Sequence, residues 1–196
     1  LLTATKLPSC PVPADRKIIE TNGSTLLKQL NPSVLDQLAL DAQQSPRRRA
    51  NRNLHDELSD PIQRLAIAME PDTYVRPHRH PHTWEMLFPL RGRFVVLHFD
   101  EAGTVIDRAV LGEDCQVVET PAGIWHAVLS LDAGGIIFEV KHGPYMPLAE
   151  SDHAPWSVAA EHQGATQVNA RYARARVGES LRWAGCGNDT EPRGPE

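Results

Sequence analysis

The sequence predicts an all-β jelly roll or closed barrel preceded by one helix, on three observations. Eight short runs of strand character crowd into residues 63–141, with little room between them for helices. Asp100-Glu101-Ala102-Gly103 and Asp132-Ala133-Gly134-Gly135 punctuate those runs as two hairpin turns. A helical period is confined to the stretch before them, where Val34, Leu35, Leu38 and Ala42 fall on one side. A parallel α/β sheet would need helices between its strands, so the pattern argues against it.

Taken in order, residues 1–16 are Pro-rich and irregular, and Lys17-Ile18-Ile19-Glu20 reads as a short strand. Asn31-Pro32-Ser33 opens the helix, which runs to Gln44 and whose leucines read as packing on the barrel. Strands are expected at 63–69, 74–80, 84–90, 93–99, 104–111, 116–120, 124–131 and 136–141. Beyond about 163 the chain is rich in Ala, Arg, Gly, Asn and Pro without a strong period, and it reads as a tail with a flexible end. The expected divisions are an N-terminal extension over 1–45, a barrel over 46–160 and a C-terminal tail over 161–196. A chain of 196 residues can bury a core in one unit but is short for two.

Charge and composition exclude several classes. The net charge is −5 and the dense basic residues are confined to the run from Arg47 to Arg52, so no nucleic-acid footprint is expected. Cys10, Cys115 and Cys186 are scattered, implying neither a disulfide framework nor a cysteine metal site, which suits the cytoplasm. No apolar run approaches the length of a membrane span, and no secretory leader is visible.

Chemistry concentrates in His78-Arg79-His80-Pro81-His82-Thr83-Trp84-Glu85, with Gly92 following: the spacing is H-x-H-x4-E-x6-G. Downstream, Pro121-Ala122-Gly123-Ile124-Trp125-His126 adds P-x-G-x-x-H. On a strand, side chains two apart share a face, so His78 and His80 aim together. Glu85 rejoins that face if the chain turns after His80, where Pro81 and Thr83 favour a turn. With His126 the set becomes three imidazoles and one carboxylate. That chemistry suits one divalent transition ion, Fe, Mn, Ni, Zn, Co or Cu, and not Mg or Ca, which prefer all-oxygen shells. A mid-chain position argues against a purification tag, and His82 reads as a turn residue.

Both elements resemble the two signature motifs of the cupins, which implies a cupin-type double-stranded β-helix, a jelly-roll barrel. The chain departs from that pattern at Asp72 and Cys115, where glycine is usual, and at Ser130, where asparagine is usual. Those positions serve turns and the surroundings of the ligands, and the four ligand positions are intact. A narrower resemblance is to the WbuC-type cupin metalloproteins of bacterial polysaccharide gene clusters. It rests on Pro46-Arg47-Arg48-Arg49-Ala50-Asn51-Arg52-Asn53-Leu54-His55, on Tyr74-Val75-Arg76-Pro77-His78-Arg79-His80, and on Phe138-Glu139-Val140-Lys141-His142-Gly143-Pro144-Tyr145 followed by Ala154-Pro155-Trp156. The resemblance implies the fold, the metal site and, from family habit, a homodimer. It draws attention to Asn53 and His55 as ligand-touching residues, against a hydrogen-bonded structural role.

Strand parity adds Tyr74 and Arg76 on the His78 face, and Val128 and Ser130 on the His126 face, with Ser130 supporting the ligands. Arg76 has two readings, a fork for a carboxylate or phosphate substrate and an ion pair. Glu139 and Lys141 have two readings, closing a pocket rim or, preferred, pairing with each other at the barrel edge, and Trp84 and Trp125 read as packing residues behind the ligands. Three functions fit. One is Lewis-acid chemistry on a small polar molecule, sugar-like or sugar-nucleotide-like and in one version anionic, in an isomerase or epimerase-like step. The second is a metal-dependent oxygenase, and the third a non-catalytic metal-dependent sensor. Metal-free jelly-roll epimerases need no H-x-H pair, so three histidines and a glutamate at one place favour metal.

Overall fold

The computed structural model describes residues 27–160, 162 and 164–184. The expected strand at 17–20, the Pro-rich start, Cys10, Cys186 and the far end of the tail lie outside those residues. The fold is mostly β: two antiparallel sheets face one another, with a helix ahead of them.

Helix α1 (Pro32–Gln44) begins where the Asn31 side chain accepts the Val34 N–H at 3.0 Å, with proline in the first turn, where a missing N–H costs nothing. Its buried residues, Leu38, Ala39 and Ala42, pack on Ala66, Ala68 and Ile136. Alanine on both surfaces lets helix and sheet approach closely.

The strands are β1 (Arg49–Asn53), β2 (Ile62–Met69), β3 (Glu85–Arg91), β4 (Phe94–Phe99), β5 (Val105–Leu111), β6 (Val118–Thr120), β7 (Trp125–Ser130) and β8 (Gly135–His142). They form a five-stranded sheet, β1-β2-β8-β3-β6, and a three-stranded sheet, β5-β4-β7. Between the sheets lie Met69, Leu87, Phe94, Val96, Leu111, Val128 and Ile137. The alternate residues of β4, Val95, Leu97 and Phe99, face outward into a second core with Trp156, Val168, Tyr172 and Leu181. Both faces of β4 are therefore covered, which explains its nearly unbroken apolar sequence.

Three expectations need correction, and one strand is new. The segment beyond 160 was expected as a tail, yet its described part carries α2 (Ala165–Arg174), which seals the outer face of the smaller sheet. Ala165, Val168 and Tyr172 supply an i, i+3, i+7 apolar side that the surrounding polar residues mask. The strand expected over 74–80 is reduced to isolated bridges at His78, because Pro77 has no N–H to extend a ladder. The turn at 132–135 is no hairpin: β7 pairs with β4 and β8 with β2 and β3, so these residues carry the chain from one sheet to the other. Lastly, β1 is a strand that the apolar pattern does not announce, since Asn51, Arg52 and Asn53 are exposed at the sheet edge.

Candidate metal centre

Backbone pairing puts the first two imidazoles side by side. The His78 N–H donates to the His126 carbonyl at 3.0 Å and the His126 N–H to the His78 carbonyl at 2.8 Å. Residues opposed in this way share a face, and the two rings lie 4.4 Å apart. His80, two residues on, lies 5.1 Å from His78 and 5.5 Å from His126, and its carbonyl accepts the Gly123 N–H at 2.9 Å. One ring nitrogen from each of His78, His80 and His126 falls within 4.8 Å of the others.

Glu85 opens β3 on the facing sheet, in register with Thr120 on β6 and Lys141 on β8. Its Oε2 lies 3.3 Å from His80 Nε2 and its Oε1 lies 3.7 Å from His126 Nε2. The turn inferred after His80 is present, with His82 exposed on it. Gly92, the last residue of the motif, sits at φ +73°, where an L side chain would be strained.

The donor set fits a divalent transition ion. His78 Nδ1–H donates to the Arg76 carbonyl at 3.0 Å and His126 Nδ1–H to the Ile124 carbonyl at 2.9 Å, which fixes the rings and leaves each Nε2 as a lone-pair donor. The Nε2 atoms of His80 and His126 are buried and have no hydrogen-bond partner. Burial holds the His78 imidazolium well below its ordinary range, helped by His126 and His80 and opposed by Glu85. Burial also lowers His126, against the pull of Glu85. For Glu85, burial alone would push the carboxyl up, but His80, His126 and Lys141 outweigh it and hold it well below the usual carboxylate range. Neutral imidazoles at His78 and His126 beside an ionised Glu85 are protonation states that suit metal ligands.

The residues expected to line the pocket have other engagements. Arg76 is held by Ser157 Oγ at 3.0 Å and by Glu150 at 2.8 Å, the ion-pair reading of its two alternatives. Tyr74 donates its hydroxyl to the Val158 carbonyl at 2.9 Å and packs on Tyr172. Asn53 is exposed on the edge strand and accepts from Asn51. His55 is buried with Nδ1 3.0 Å from the Arg64 backbone, bracing the β1–β2 connection. Ser130 is buried and donates to the Asp132 carbonyl at 2.8 Å, steadying the passage between sheets. Trp125 packs in the outer core, with its indole N–H on Glu101 and the Arg79 guanidinium 4.3 Å over its ring.

Two features escape sequence reasoning. His98, His126, His78 and His153 stand in register across adjacent strands, so the centre is flanked by an imidazole on each side. His98 Nε2 is 3.0 Å from Thr120 Oγ1, while His153 Nδ1 is buried without a partner. No local spacing connects residue 153 to residue 78. The second feature is the Glu139–Lys141 pair, which is not at an edge: β8 is the middle strand of the larger sheet, and Glu139 is only 7% exposed.

A family model described as a domain of unknown function (DUF6016) matches residues 30–111, less than half of the chain. No curated protein matches it. Among solved structures, the chain is similar to KdgF from Halomonas sp., at 12% identity over 53% of this chain and 85% of that one, with a TM-score of 0.42. It is also similar to the TT1209 protein from Thermus thermophilus, at 20% identity over 55% of this chain and 92% of that one, TM-score 0.42. A third likeness is to the DMSP lyase DddQ of Ruegeria pomeroyi DSS-3, at 23% identity over 53% of this chain and 52% of that one, TM-score 0.43.

Proposed function

We propose that this protein is a metal-dependent cupin of the WbuC type, in which His78, His80, Glu85 and His126 hold one divalent first-row transition ion beside a small polar substrate. The observation that carries this reading is the convergence of one ring nitrogen each from His78, His80 and His126 within 4.8 Å of one another, beside the buried Glu85 side chain. Buried polar atoms without partners are rare and costly, and three histidine nitrogens converging with a carboxylate are relieved together by one cation. The ion would supply Lewis-acid polarisation of a carbonyl or hydroxyl oxygen. The chain supplies the rest: Arg76 and Ile124 carbonyls orient the rings, the two sheets exclude bulk water, and Glu85 offsets the ionic charge. The substrate is a small molecule rather than a nucleic acid or a membrane, and the protein works as a homodimer, which light scattering at working concentration tests.

Plasma mass spectrometry on protein purified without added metal or chelator should find close to one transition ion per chain. His80→Ala should lose most of it while keeping the far-ultraviolet circular dichroism of the parent. Unchanged occupancy in His80→Ala would overturn the ligand assignment.

A further inference from the structure

The buried pair on β8 is placed to decide what reaches the metal. Lys141 is in register with Glu85 on β3 and with Gln63 on β2, and residues opposed across antiparallel strands share a face. Lys141 therefore lies on the Glu85 face, and so does Glu139 two residues earlier. The Lys141 Nζ sits 2.6 Å from Glu139 Oε1, and both side chains are largely buried. At that distance the Lys141 ammonium and the Glu139 carboxylate form an ion pair beside Glu85.

A structural role accounts poorly for this pair. Desolvating two ions costs several kcal/mol, by an order-of-magnitude figure, and an apolar pair of similar volume commonly does as well or better. Leu65 and Leu87, the register partners of Glu139, already offer apolar surface that such a pair would match. Charge gives the second argument. With a divalent ion in place, Glu85 and Glu139 neutralise it, and the Lys141 ammonium remains. A buried excess of positive charge is satisfied by an anion and not by a neutral molecule.

We propose that Lys141, braced by Glu139, is the anion-binding residue beside this centre, and that the molecule it admits is a small carboxylate, of the 2-hydroxy or 2-oxo acid class, able to ligate the ion. Arg76, the cation that strand parity nominates, is occupied elsewhere, and Lys141 takes the role from the opposite sheet. The inference rests on the metal-centre reading.

The test uses the full chain loaded with Co(II), whose visible spectrum reports its ligands, titrated with lactate and with its neutral analogue lactamide. Cobalt stoichiometry is measured for the parent, Lys141→Met and Lys141→Arg. The expected result is about one cobalt in all three, a spectral change with lactate but not lactamide in the parent, lactate affinity at least about tenfold weaker in Lys141→Met, and near-parental affinity in Lys141→Arg. Cobalt bound while lactate affects the parent and Lys141→Met alike overturns the anion assignment and leaves the metal centre standing. No cobalt in the parent overturns the metal centre and this inference with it. If Lys141→Met does not fold, the parent still decides: a response to lactamide equal to that for lactate refutes the proposal.

Discussion

Replacing Tyr172 by alanine tests whether the segment after the barrel is part of the folded unit. Tyr172 is 1% exposed, in a core with Val95, Leu97, Phe99, Trp156 and Val168, and its ring lies 6.0 Å from Phe99 and 6.4 Å from Tyr74. A buried aromatic of this kind removes at least about 150 Å² from water, worth about 4 kcal/mol at roughly 25 cal/mol per Å². Measured aromatic-to-alanine losses of about 3–5 kcal/mol in cores agree. For a chain of this size each kcal/mol moves the thermal midpoint by about 2–4 °C, so Tyr172→Ala should lower it by about 12 °C. The assay is thermal unfolding by circular dichroism at fixed protein concentration with a chelator present, because bound metal would add its own concentration-dependent term. Arg174→Ala, at an exposed position of the same helix, is the control. A Tyr172→Ala midpoint within about 3 °C of that control would refute the docking of α2.

Three further outcomes are expected. Glu85→Gln keeps the shape of the side chain and removes its charge, so metal affinity measured by competition with a chromophoric chelator should fall by at least about tenfold, and parental affinity would remove Glu85 from the ligand set. Arg76→Leu should leave metal stoichiometry at the parental value and lower the midpoint of urea unfolding, because Arg76 ties the irregular strand before His78 to Glu150 and Ser157; lost metal with unchanged stability would contradict that placement. The Asp100 carboxylate accepts the Ala102 N–H at 2.9 Å and the Thr104 N–H at 2.8 Å, and backbone hydrogen bonding holds its carboxyl below the ordinary 3.8. A depressed carboxyl contributes stability that is present above its unfolded-state pKa and lost as pH falls through the folded one. Asp100→Asn should therefore lose less stability than the parent between pH 6 and pH 3, and equal losses would show that Asp100 contributes nothing to acid sensitivity.

The cluster of His78, His80 and His126, which could hold a metal, is legible in the sequence because its geometry is local. The i, i+2 pair at His78 and His80, a turn before Glu85 and a short strand carrying His126 each need only strand parity to be placed. What is hidden depends on topology. The turn residues Asp132-Ala133-Gly134-Gly135 would serve a hairpin as well as a passage between sheets, and only the partners of β8 separate the two cases. Once β8 is the middle strand, Glu139 and Lys141 move from an edge, where an ion pair is unremarked, to the interior, where it demands a reason. The partners of Arg76 and Tyr74 are hidden for a related cause. Parity presumes a regular strand over 74–80, and Pro77 breaks it, so Arg76 and Tyr74 turn to the C-terminal segment instead.

That segment also explains how the gap between the sheets can hold so many polar groups. The inner faces carry Glu85, Glu139, Lys141, His98, His126 and His78 at one end, and at the other only a modest apolar set around Phe94, Leu87 and Val128. In a two-layer barrel that inner set would be the whole core. Here each sheet has a second apolar face: α1 covers the larger sheet through Leu38, Ala39 and Ala42, and α2 with the Trp156 region covers the smaller one. Burial on the outer faces offsets the cost of keeping ionisable groups between the sheets. A polar cluster at the junction of two independently backed sheets can thus be rigid, because each half of it, His78 and His126 on one side, Glu85 and Lys141 on the other, is fixed by its own backbone register.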